Sequence, residues 1–320
     1  MLYYVYKKEL HGPLEENTMK AYKGFDMDMT CRGFQFKEGE TYETSEAKLC
    51  KCGFHACEAP IDVFDYYFPN SSEYHEVELE DVDVSDEKHE DTKVCAKKIK
   101  IGTKLSIEKL IELQIEYTMV HCTNEHYAGY EESATASDYG VATASQCGAA
   151  TAGDCGVAIS GDHGAATAGN RSVATVCNRG AATVGNNGAA TAGDCGVAKA
   201  GNRSAAMVGN HSVAVVRDSS LATAGNHGVA VAGFSGVAKA GELGLAVSRS
   251  HSSVGENGLA FARGNNVRVK GELGSVIVII EERDCTYGIR EWKAGIIDGK
   301  TLKPNVWYKL ENGEFVECKD

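Results

Sequence analysis

The chain has 320 residues, 43% hydrophobic and 24% charged, with a formal net charge of -13, which is room for two or three folded domains. That charge argues against a general affinity for phosphate backbones or anionic lipid, both of which need clustered Lys and Arg, so neither nucleic acid nor a membrane is expected as a partner. No run approaches the ~18 apolar residues of a spanning helix, residues 1–10 (MLYYVYKKEL) do not read as an export signal, and the 12 cysteines are scattered; a cytoplasmic protein with free thiols is expected.

Residues 1–131 predict an α+β head domain. YYVYKKEL, MKAYKGF, CRGFQF, YHEVELEDV and KVCAKKIKI carry the β-branched and aromatic residues of half-buried strands. Pro60 suits the first position of a helix through PIDVFDYY. A second helix opens after Ser106, where Ile107, Leu110, Ile111, Ile115 and Met119 fall at intervals of three and four and describe one buried face.

Two constellations in the head carry possible chemistry. Cys50, Cys52, His55 and Cys57 place four candidate metal ligands in eight residues, but structural zinc sites pair a knuckle with a distant second pair. On a strand, His55 and Cys57 also point away from Phe54 and Ala56. Buried free thiols fit better, and no metal or other cofactor is expected. The second constellation is Tyr22-Lys23-Gly24-Phe25, then Gly53-Phe54-His55-Ala56 leading to a helix with Asp62, Tyr66 and Tyr67. This layout resembles ADP-ribosyltransferase-like domains. The resemblance implies a nicotinamide dinucleotide held near Lys23 and His55, with Glu76 and Glu78 as the carboxylates that polarise a ribose hydroxyl. The chain departs from that pattern, with lysine at 23 and no Ser-Thr-Ser motif, and alternating Glu on a strand is equally a solvated face.

From Glu132 to His251 the chain divides into fifteen blocks of eight without an insertion, among them GAATAGDC, GVAISGDH, GAATAGNR and SVATVCNR. The third position is always alanine: Ala134, Ala142, Ala150, Ala158, Ala166, Ala174, Ala182, Ala190, Ala198, Ala206, Ala214, Ala222, Ala230, Ala238 and Ala246. Six residues, SSVGEN, then interrupt, and the octads resume at Gly258 while fading. A fixed short period predicts a solenoid, because one unit cannot bury its own apolar face. Five residues such as GAATA make a strand, and GD, GN or CN a corner whose Gly or Asn adopts positive φ. At position two, Ala149, Val157, Ala165, Val173 and Ala181 alternate small and large, which favours two octads per flattened coil. Roughly seven coils at ~4.8 Å would then span about 35 Å.

Lys199, Met207 and Lys239 at position four put positions two and four outside and one, three and five inside, with the alanines as core. The outer face would carry Val141, Val157, Val173, Val213, Leu221 and Val229, a flat repetitive surface that self-associates or docks an unidentified protein partner. His211 and His227 would stack on one corner near Cys195 and Arg179. After the array, VIVII, GIREWKAGII, NVWYKL and EFVEC with an Asn-Gly turn predict a small antiparallel cap.

The octads SVATVCN and SVAVVRD resemble the head β-rolls of trimeric autotransporter adhesins, which implies a parallel roll and an oligomer. The YKGF, CRGFQ and GFHAC motifs, the octads and the DGKTLKPNVWY ending resemble an uncharacterised family of phages and gut bacteria, which implies architecture without an assigned activity. The expected protein is mainly β: an α+β head (1–131), a parallel β-solenoid of octapeptides (132–274) and an antiparallel cap (275–320). The first functional reading is a non-enzymatic, self-associating structural protein of phage or mobile-element type. The second is a transferase-like or nucleotide-binding head displayed on a stalk.

Overall fold

The computed structural model describes residues 18–83, 91–283 and 287–318, so the strand expected at residues 3–10 lies outside them. The chain forms two compact units. The first ends at Ser106 and the second begins at Ile107, except that Phe68–Ser71 group with the second.

In the first unit five antiparallel strands lie in the order Thr41–Glu43, Lys93–Leu105, Phe54–Cys57, Thr18–Asp26 and Ser72–Val82, and Lys93–Leu105 also pairs with Ser72–Val82. Period-two alternation sends Ala21, Phe25, Val77, Leu79, Ile99 and Ile101 into a core with Phe36 and Ala56. CRGFQF folds as a hairpin of Thr30–Cys31 with Phe34–Gln35, turning through Arg32 and Gly33 at positive φ. PIDVFDYY forms a short 3-10 helix, Pro60–Asp65, that buries Ile61, Val63 and Phe64.

The helix expected in the head, Ile107–His121, belongs to the second unit, where it packs on the Val173–Val176 strand. Its buried stripe is Leu110, Ile111, Gln114 and Thr118, leaving Ile107, Ile115 and Met119 half-buried. Gln114 Nε2 donates to Thr118 Oγ1 at 3.2 Å, so these two buried polar side chains partner each other within the stripe.

A parallel β-solenoid of about 10 turns occupies residues 125–281. Each octad supplies one four-residue strand, and strands two octads apart pair: Val141 with Val157 and Val157 with Val173 on one face, Ala149 with Ala165 on the other. The coil is therefore the expected flattened one of two octads. There are about 10 turns instead of seven because the roll starts earlier, with Glu125–Ala128 pairing onto Val141–Ala144, and runs through SSVGEN unbroken. His251 pairs with Arg268, Leu245 with Leu259, and Leu259 with Val276, so the coil length changes while the ladder continues.

The third-position alanines lie inside, from Ala134 at 3% exposure to Ala246 at 0%. Fifth-position residues such as Ala152 and Val184 are buried with them. An interior this small brings the two sheets close, and any longer side chain at position three would push them apart.

The corners work differently from expectation. The left-handed residue is the variable eighth one, including Cys147 (φ 59), Cys155 (φ 55), His163 (φ 59) and Arg171 (φ 50). Glycine at position six, where Cys177 and Arg217 also occur, leaves room beside the ladder: a Cβ on Gly153 would lie 2.1 Å from Asp138 Oδ1, and one on Gly169 2.1 Å from Asp154 Oδ1. Those oxygens form a ladder up each corner. Each Asp or Asn at position seven accepts the backbone N–H of position seven one coil on: Asn170 to Asp154 at 2.6 Å, Asn186 to Asn170 at 2.8 Å, Asn202 to Asn186 at 2.8 Å. Where position one is serine it ties coils as well, as when Gly156 N–H donates to Ser172 Oγ at 3.1 Å.

At the far end Val276–Glu282 pairs antiparallel with Ile289–Ile296, and Trp307–Glu311 with Glu314–Cys318. Asn312 and Gly313, both at positive φ, make the expected hairpin turn. These strands extend the roll's own sheet, with Val269 pairing to Tyr308, so the cap and the solenoid form one unit. The core grows to Ile277, Ile279, Ile297, Tyr308 and Leu310.

Candidate functional site

Lys23 is buried on the strand Thr18–Asp26, its Nζ donating to His55 O at 2.8 Å and lying 5.4 Å from the Phe25 ring. Burial lowers its pKa, partly offset by the nearby Cys31 and Cys57 thiols. His55 Nε2 accepts the Cys50 N–H at 2.9 Å. Burial, with the charges of Lys93 and Lys23, holds this imidazole neutral down to a pKa of about 4.

Glu76 and Glu78 stand elsewhere. They flank the fully buried Val77 and so point to the opposite side of the sheet from the Phe25 core, where Glu76 pairs with Lys20 at 2.8 Å and Glu78 with Lys100 at 3.0 Å. Lys23, alternating with Ala21 and Phe25, faces the core. The four residues of the transferase reading therefore do not converge, and Glu76 and Glu78 read as a solvated, ion-paired face.

The cysteine cluster is also spread out. Cys50 is exposed, Cys52 offers its carbonyl to the Cys95 thiol at 2.9 Å, and Cys57 is buried, which pushes its thiol pKa up. Among the described residues no three His, Cys, Asp or Glu side chains are placed to hold a metal ion. One buried polar residue went unmarked in the sequence. His75, the cross-strand neighbour of Lys23, has its Nδ1 3.0 Å from Gly102 O and its Nε2 3.7 Å from Glu73. Inside YHEVELEDV it alternates with Val77 and Leu79, so period two already puts it on the core side of the strand.

The solenoid presents two outer faces that differ. On the face that carries the helix, Val141, Val157, Val173 and Leu221 are buried, which corrects the expectation that they are exposed. Position two there is covered, and the larger residue of the early alternation is the one that fills it. On the other face position two is Ala149, Ala165 and Ala181, then Val197, Val213, Val229 and Leu245, and all are at least partly exposed. Beside them stand Thr151, Thr167, Thr183 and Lys199, then Val215, Val231, Val247, Phe261 and Val278. Strand pairing carries this surface onto Ile296, Ala294 and Trp292, partners of Val276, Val278 and Ile280. Leu259 and Val276 are each 37% exposed, Ile296 61% and Trp292 64%.

On one corner the His211 and His227 rings stack at 4.8 Å, as the two-octad coil requires. Near the far end an open cleft of about 880 Å³ is lined by Arg268, Glu281, Arg290, Glu291, Lys309 and Glu311. Its charges are largely matched internally: Glu281, its pKa raised by burial, accepts the Asn266 and Val267 N–H groups, and Lys309 pairs with Glu311.

Residues 19–113 match the family model of a domain of unknown function, DUF7666. That stretch reads as a domain of an uncharacterised family. It spans the described part of the first unit and the start of the helix, and stops before the octads. No curated protein and no solved structure matches the chain. Among the described residues no helix is long and apolar enough to cross a membrane.

Proposed function

We propose that this chain is a non-enzymatic structural and interaction protein, of phage or mobile-element type, that self-associates through its solenoid. The observation that carries the reading is the uncovered outer face, whose second half is apolar at octad positions two and four from Val213 to Phe261. A contiguous exposed apolar surface of this extent is unusual for a monomer and typical of an interface. The other face supports the reading by contrast, because its equivalent valines lie buried. The interior and corners are filled by alanine, glycine and the Asp/Asn ladder, all of which serve stacking. The free thiols of the described cysteines fit a reducing, cytoplasmic setting. Light scattering of the full chain across a wide concentration range tests association. Mass is expected to rise above the 34.1 kDa of one chain, and a strictly monomeric protein at every concentration would remove the reading.

A further inference from the structure

The uncovered face is tapered, and the taper selects a partner. Its early strands carry Ala and Thr outward, as at Ala165 and Thr167, while its late strands carry Leu, Phe and Trp, as at Leu259, Phe261 and Trp292. At octad positions two and four this face bears one charge, Lys199, while Arg249 and Arg263, each two residues beyond position four, pair with the buried Glu282.

Building on the self-association proposed above, we propose that the partner is a second copy of this chain, packed face to face with its solenoid axis antiparallel. The two-fold axis lies in the interface along the Val213–Val216 strand, and each copy's shallow Ala/Thr half receives the other's bulky half.

Two arguments fix this arrangement. The first is shape. Packed sheets keep a nearly constant spacing of ~10 Å, so outward side chains from the two copies must add to a constant height. Antiparallel copies achieve this, with Ala165 and Thr167 meeting the Leu259–Gly264 strand three steps the other side of the axis. Parallel copies would press bulky ends together and leave the Ala/Thr ends apart. The second is area. About 10 turns at ~4.8 Å, each showing four residues at ~3.3 Å, give a flat face of roughly 600 Å², which approaches the ~800 Å² per partner of a stable interface once surface relief is included. The apolar half alone is about half of that, so full overlap is required. Lys199 falls beside the axis, where its long stem lets the ammonium reach the rim.

The test is a photo-crosslinking residue, p-benzoylphenylalanine, in place of Thr167, in a mixture of isotopically light and heavy full-length chains, with products mapped by mass spectrometry. Mixed light–heavy links into the partner's Leu259–Gly264 strand are expected. A second probe at Val215 is expected to link to the partner's own Val213–Val216 strand. Links from position 167 to the partner's Ala165–Ala168 strand would overturn the antiparallel arrangement while leaving self-association standing. Associated chains that give no mixed link from either probe would overturn the assignment to this face. Loss of association itself is read separately, by light scattering of the unmodified chain. Val231→Lys is expected to weaken association at least tenfold while leaving the fold intact, since Lys199 and Lys239 already occupy its position in the repeat.

Discussion

Single positions in the octad have distinct physical duties, and each supports a prediction. Ala174 is fully buried at position three, inside the alanine-lined core. Ala174→Leu is expected to cost at least the ~1–3 kcal/mol of an overpacked core, read as a lower denaturation midpoint. Asn186 accepts the Asn202 N–H and donates its own N–H to Asn170. Asn186→Ala breaks one ladder step and is expected to cost about 1 kcal/mol, whereas Asn186→Asp keeps the acceptor, as Asp154 and Asp194 do naturally. In the head, His55 has a folded pKa of about 4. Its unfolded value is ~6.5. Below the unfolded value the unfolded chain takes up a proton that the folded chain refuses. Stability therefore falls as pH drops from ~6.5 toward about 4 and levels off beneath it. A His55→Gln variant, which retains an acceptor for the Cys50 N–H, should flatten that part of the profile in urea titrations.

Among the elements, the strands and their inward positions were legible in the sequence because period and side-chain size state them directly. Position three is always Ala, and position four tolerates Lys. The corners were not, because glycine has two uses that look alike in a sequence. Gly153 reads as a positive-φ residue but serves as empty space beside Asp138, while Cys155, unmarked in sequence, takes the left-handed turn. The helix Ile107–His121 was legible as a helix, but its partner was not, since its most regular apolar stripe is not the one it buries. Leu110→Ala is expected to cost ~2–5 kcal/mol by opening a cavity between helix and solenoid, seen as early exchange of amide hydrogens in Ile107–His121.

For the whole molecule, the proposed function rests on the two outer faces, and a linear reading blurs them together. Val157 and Val229 occupy the same octad position, yet one is buried and the other lies on the uncovered face. Trp292 and Ile296 join that face only through antiparallel pairing with Val276–Glu282. The transferase reading rested on the same kind of blur, placing Lys23 near Glu76 and Glu78 when strand alternation separates them. The most direct measurement is sedimentation of the full-length protein beside Val231→Lys at matched concentrations. The wild type should sediment as an oligomer and the variant as a monomer with an unchanged melting temperature, as lysine at an outward position of the repeat implies. Indistinguishable sedimentation of the two would contradict the assignment of this face as the surface through which the protein assembles.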